Sequence, residues 1–198
     1  MKGFRSTIFV LLSSVFTGLM LFILYRLILQ VYGIDVQMLF VAIMMLSGIL
    51  AALFDVGMSK LISRLVAQRE ECNILFVRII ITLYFCSGLM GVILSLLYSG
   101  QVLDFWLADE VDDKVLSSLT AKCFFVGCFF SIFQLAFQSV AVGSGLVNRQ
   151  IALNLLNGVM LYLPLCIYAI LGGSFYFFGG LYLGLRIAIL IVSASIFI

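Results

Sequence analysis

Chemistry in this chain would rest on a few cations set in long apolar runs. Arg26, Arg78, Lys122 and Arg186 fall inside hydrophobic stretches, whereas no Asp or Glu lies well inside any of them. Ionisable groups at membrane depth are costly, and cations without carboxylate partners need an anion, water or backbone carbonyls. Arg186 stands eleven residues from Phe175 and twelve from Ile198, too deep to reach either interface, and its helix face carries Gly179, Tyr182 and Ser193. The guanidinium stays ionised and donates in pairs, which suits a phosphate. A structural charge held by backbone carbonyls is the alternative. Arg78 is four residues into its run and Lys122 six, and both can snorkel to an interface. Arg26, with Gln30 one turn beyond, can snorkel or face a cavity.

Other chemistry is absent. There is no histidine, so Ser-His-Asp and Cys-His nucleophiles, His proton relays and His metal sites are excluded. Cys72, Cys86, Cys123, Cys128 and Cys166 form no C-x-x-C pair and read as small apolar residues. No metal, cofactor or catalytic residue is expected.

The polar residues fall on helix faces. Gly127, Ser131, Gln134 and Gln138 form one stripe, with Lys122 well off it. Asn154 and Asn157 share a face, lining the inner mouth of a path or bonding across helices. Asp55, at a helix end, is either a cap or interface group or a weak candidate for an ion-coupling carboxylate.

The elements that position these residues follow from composition. Of 198 residues, 65% are hydrophobic and 10% charged, with net charge +2 and mean hydropathy +1.29. Soluble domains carry about 25% charged residues. A soluble enzyme, a nucleic-acid binder and a disordered protein are excluded. A bilayer needs about 20 apolar residues per helix. Six stretches qualify, near residues 8–29, 38–54, 74–98, 116–142, 151–171 and 175–198. They do not alternate as β-strands would, so the expected fold class is all-α, a polytopic membrane protein forming one transmembrane lobe. The first run is too long for a signal peptide and lacks a cleavage site.

Lys2, Arg5, Lys60, Arg64, Arg69 and Arg149 fall on one side of this topology, and only Lys114, with six acidic residues, on the other. The positive-inside bias makes the N-terminus cytoplasmic. The second helix is expected to run on as an amphipathic extension to about residue 70. Ser99–Val115 reads as a short acidic outer loop, with Phe105-Trp106-Leu107 at the interface. Pro164 is expected to kink the fifth helix, and Gly180-x-x-x-Gly184 weakly marks a packing face.

Around Asp55 a longer pattern emerges. Tyr32-Gly33-Ile34-Asp35, then Leu53-Phe54-Asp55-Val56-Gly57-Met58-Ser59 and Ile62-Ser63-Arg64-Leu65-Val66-Ala67, resemble the first two helices of O-antigen flippases, polysaccharide exporters of the multidrug/oligosaccharidyl-lipid/polysaccharide superfamily. Phe137-Gln138-Ser139-Val140-Ala141-Val142-Gly143, with Arg149 and Asn154, resembles the family's connection between helices four and five. The likeness runs from about Arg5 to Tyr168. The glycine usual after the first turn is missing, with Met38-Leu39-Phe40 in its place. Family members have about twelve helices in two lobes, so the chain resembles an N-terminal half, from a truncated or split frame or a partial sequence.

The resemblance implies flipping of an undecaprenyl-pyrophosphate-linked oligosaccharide across the bacterial inner membrane, with cavity cations holding the pyrophosphate. The matching candidates are Arg26 and Arg186, then Lys122, with Gln134, Gln138, Asn154 and Tyr182 around them. Expected partners are the lipid-linked oligosaccharide, membrane lipids, a missing C-terminal lobe or other polysaccharide-assembly proteins. The alternatives are a drug or small-molecule exporter of the same superfamily, and a membrane enzyme acting on lipid-linked sugars.

Overall fold

The computed structural model describes residues 2–55, 57–68, 71–107 and 119–196, and among them every regular element is helical. In chain order these are α1 (Lys2–Tyr32), α2 (Ile34–Asp55), α3 (Met58–Gln68), α4 (Glu71–Leu107), α5 (Leu119–Gly143), α6 (Val147–Ile170) and α7 (Phe175–Ser195). Five described segments are long and apolar enough to cross a membrane: Thr7–Tyr32, Arg78–Tyr98, Lys122–Gly143, Val147–Ile170 and Phe175–Ser195. In α2 the described apolar stretch, Ile34–Leu46, is shorter, so five of the six expected spans are found among the described residues.

The surface explains the composition. Leu11, Leu12, Val15, Leu19 and Phe22 line the outside of α1, and Leu83, Leu89, Met90 and Leu97 the outside of α4, all exposed. A contiguous apolar surface of this extent is unfavourable in water and natural in hydrocarbon. The chain is a multi-pass helical membrane protein.

The centre of the bundle is α5. In its most apolar stretch 59% is buried, against 11–33% in the other spans, and it packs on α2, α3, α4 and α7. Its aromatic rings make the core. Phe124 meets Phe40 of α2 at 5.0 Å between ring centroids, Tyr182 of α7 at 5.1 Å and Phe178 at 5.5 Å. Small residues set the helix separations. A Cβ on Gly127 would lie 2.7 Å from the Tyr182 ring, and one on Gly179 would lie 2.6 Å from the Thr120 carbonyl oxygen. Gly180 and Gly184, the glycines singled out by spacing, are exposed with nothing packed on them, so the close-packing glycine of α7 is Gly179.

Two boundaries differ from the sequence reading, each for a local reason. First, α2 does not continue past the membrane segment. It ends at Asp55, Gly57 takes φ +80°, and α3 is a separate helix. Asp55 starts it: Oδ1 accepts from the Ser59 backbone N–H at 2.9 Å and Oδ2 from the Ser59 hydroxyl at 2.8 Å. That is a side-chain cap on a new helix N-terminus. Second, α4 runs on through residues 99–107, which the sequence suggested were loop. The stretch has no proline, and its one glycine, Gly100, costs a helix only about 1 kcal/mol. The start of the expected fourth helix, 116–118, and residues 108–115 of the acidic loop lie outside the described residues.

At Pro164, where the sequence suggests a kink, the turns before the proline change register. Leu156–Tyr162 is π-helical, and the Leu163 N–H donates to the Gly158 carbonyl five residues back. A proline removes one donor and crowds the carbonyl four residues before it, here that of Met160. Widening the preceding turns relieves that crowding. The π stretch also carries Asn157.

At one end of the bundle, α3 lies across α4 and α5. Ile62 is fully buried, the Ser63 hydroxyl donates to the Ser139 carbonyl at 3.0 Å, and Gly143 admits the Ser63 backbone. At the other end, Gly33 (φ +91°) turns α1 into α2, and Gly172 (φ +72°) leads to α7. The Tyr32 hydroxyl closes this end by donating to the Gly173 carbonyl at 2.8 Å.

Candidate functional site

Arg186 is buried halfway along α7, with 7% of its surface exposed. It shares its face with Phe178, Gly179, Tyr182, Ile189 and Ser193, all buried. Nε and Nη2 donate to the Tyr182 hydroxyl oxygen at 3.2 and 3.1 Å, and Nη1 donates to Asn157 Oδ1 at 3.2 Å. The guanidinium carbon also lies 5.3 Å from the Tyr182 ring centroid, within cation–π range. The Tyr182 hydroxyl, taking these two bonds, is 3.9 Å from Met44 Sδ of α2.

The spacing of these groups follows from the fold. Tyr182 and Arg186 are one turn apart on α7. Gly127 opens room on α5 for the tyrosine ring. The π stretch of α6 carries Asn157 to the guanidinium. The named acceptors, Tyr182 and Asn157, are two neutral dipoles that orient the guanidinium. A fixed, ionised, dry guanidinium attracts an anion more strongly than one in water.

A second polar cluster links α1, α5 and α6. Asn154 Nδ2 donates to the Ser13 and Ser14 hydroxyls at 3.3 and 3.2 Å, and Gln138 Nε2 donates to Asn154 Oδ1 at 3.5 Å. The Thr17 hydroxyl donates to the Asn154 carbonyl at 2.9 Å, and buried Gln134 donates to the Leu153 carbonyl at 3.3 Å. Every group here is neutral, and its bonds run between helices. Of the two roles open to Asn154, the structure shows interhelical bonding. Ser193 differs: its hydroxyl is fully buried and has no hydrogen-bond partner among the described residues. It stands seven residues beyond Arg186, about 10.5 Å along the same face.

The structure therefore brings Tyr182 to Arg186, and Gln138 to Asn154, with Gln134 beside that second cluster. It does not gather the cations. Arg26 and Lys122 are both exposed, away from the Arg186 contacts. Asp55 is occupied as the α3 cap. Sequence reasoning missed Asn157 as the partner of Arg186. The signal was its place one turn after Asn154, but a straight α-helix does not reveal the register change that aims it. Ser13, Ser14 and Thr17, the α1 side of the polar cluster, were missed too, because hydroxyls are common in membrane helices. Among the described residues no group of Cys, Asp and Glu is arranged to hold a metal ion.

Comparison with known proteins gives no match: no protein-family description, curated protein or solved structure is significantly similar to this chain.

Proposed function

We propose that this chain is a transport lobe that flips an undecaprenyl-pyrophosphate-linked oligosaccharide across the bacterial inner membrane, with its N-terminus cytoplasmic. In this reading α2, 22 residues long, is the sixth span, and the lobe corresponds to the N-terminal half of an O-antigen flippase. The carrying observation is Arg186: a guanidinium buried at mid-span and oriented by Tyr182 and Asn157. Such a group favours an anionic ligand over a cationic one, which supports a pyrophosphate carrier over a cationic drug. Spacing around Asp55 and Gly143 supports the flippase resemblance.

The test is rescue of a strain lacking its O-antigen flippase by residues 1–198, alone and joined to the C-terminal lobe of such a transporter. We expect rescue in the joined form, and its loss on Arg186→Glu. Wild-type rescue by Arg186→Glu, or uptake of cationic dyes in place of rescue, would overturn the reading.

A further inference from the structure

Outside the Arg186 site, the lipid-facing side of α4 and α5 carries two adjoining recesses. One, of about 250 Å³, is lined by Ile81, Phe85, Ala136, Phe137 and Val140. The other, of about 220 Å³, is lined by Thr82, Cys86, Leu89 and Phe133, and shares Phe85. The Phe85 ring stands between them, stacked on Phe133 at 5.0 Å and edge-on to Phe137 at 6.2 Å. Gly88 lets this aromatic row lie close, since a Cβ there would meet Phe133 at 2.6 Å.

The α4 side of both recesses is one stripe. At 100° per residue, Ile81, Thr82, Phe85 and Leu89 all fall within about 60° of Arg78. Arg78 heads the stripe at the α3 end of the span, is exposed, and makes no ion pair among the described residues. The face thus has a cation at interfacial depth and, about one turn further in, an apolar trough made of the two recesses, about 12 Å long from Ile81 to Leu89. That length suits an acyl chain, and the cation suits a phosphate on the same molecule.

We propose that this face is a binding site for one anionic phospholipid, its headgroup phosphate on Arg78 and one acyl chain along the Phe85 trough. The commitment to an anionic phospholipid rests on charge. A zwitterionic lipid would fill the trough equally but offer the arginine no net charge. Lys60 and Arg64, exposed on the neighbouring α3, strengthen the positive potential at this end without facing the trough.

The test is lipid retention by the purified chain in native mass spectrometry, after exchange into equimolar phosphatidylglycerol and phosphatidylcholine. It involves no transport, so its outcome is independent of the flippase reading. We expect about a fivefold preference for phosphatidylglycerol, the effect of one interfacial charge. Arg78→Gln should abolish the preference, and Lys60→Gln with Arg64→Gln should keep most of it. Val140→Phe, at a partly exposed position lining the first recess, should narrow the trough and lower retention of both lipids. Equal retention by the wild-type chain, or an unchanged preference in Arg78→Gln, would overturn the proposal. So would displacement of phosphatidylglycerol by equimolar undecaprenyl phosphate, which would give the trough to the substrate carrier.

Discussion

Arg186 of α7 and Arg78 of α4 are the same residue in two apolar helices, and the fold treats them oppositely. Arg78 stands at the end of its span and is exposed, so water or a headgroup meets its charge and no protein acceptor is needed. Arg186 stands at mid-span with 7% exposure, and it donates three hydrogen bonds to two neutral side chains. Depth decides the difference. A guanidinium can snorkel a few residues along its stem, but not half a bilayer. The buried arginine therefore recruits Tyr182, Asn157, the glycine under the tyrosine ring and the π turns of α6. The exposed one has no side-chain partner among the described residues.

The comparison breaks first at Tyr182. Tyr182→Phe removes the oxygen that accepts two N–H groups and leaves the ring in place. We expect it to lower stability by about 3 kcal/mol, because hydrogen bonds to a charged group contribute more than neutral ones. Denaturant titration of the reconstituted protein checks this. Arg186→Met is the decisive companion. It takes away the buried charge as well as its bonds, so we expect it to cost less than Tyr182→Phe or to stabilise. If Arg186→Met costs more, Arg186 is a structural strut and its proposed role in transport fails.

Asn157→Leu comes next. It removes a single acceptor from the guanidinium, and we expect a loss of about 2 kcal/mol by the same titration. In the Arg186→Met background the same change should cost less than half as much, because its partner is gone. Additive losses would show that Asn157 serves the π turn and not the arginine.

How far such contrasts can be read without coordinates depends on what fixes them. Burial of Arg186 is legible in sequence because it follows from depth, which is counted in residues, and from the small neighbours on its face. The Gln134–Gln138 stripe is legible because it follows from a 3.6-residue period. The break after Asp55 was harder to see. Residues Met58–Gln68 keep a helical pattern on either reading, and only the φ of Gly57 decides between one helix and two. The register change before Pro164 is hidden for a related reason. A proline specifies that a helix must yield, and packing by neighbours decides whether it kinks or widens. The partner of Arg186 lies across a helix interface, and no spacing within one helix encodes that. Exposure of Arg26 was an open choice, since its face is set by how α1 leans on α2 and α6.

The Asp55 cap yields a smaller, local effect. Asp55→Ala deletes both acceptors for Ser59 and should cost about 1 kcal/mol, while Asp55→Asn should cost less, since the amide oxygen still caps. Rescue of the flippase-deletion strain adds the second measurement. A carboxylate needed for ion coupling would fail as Asn while stability was kept. A cap would not, and we expect Asp55→Asn to rescue.

The smallest effects mark the other pole of the comparison. Lys122→Gln and Arg26→Gln change exposed cations near the ends of α5 and α1. A side chain that meets solvent or headgroups has no protein acceptor to orphan, so each change should move stability by less than about 0.5 kcal/mol. Combined with Asn157→Leu, either should add without coupling, because they share no partner with Arg186. The informative result would be a transport defect at unchanged stability. It would mean that Arg26 or Lys122 meets the anionic substrate from an exposed surface, and the anion site would then extend beyond the buried arginine onto the faces of α1 or α5.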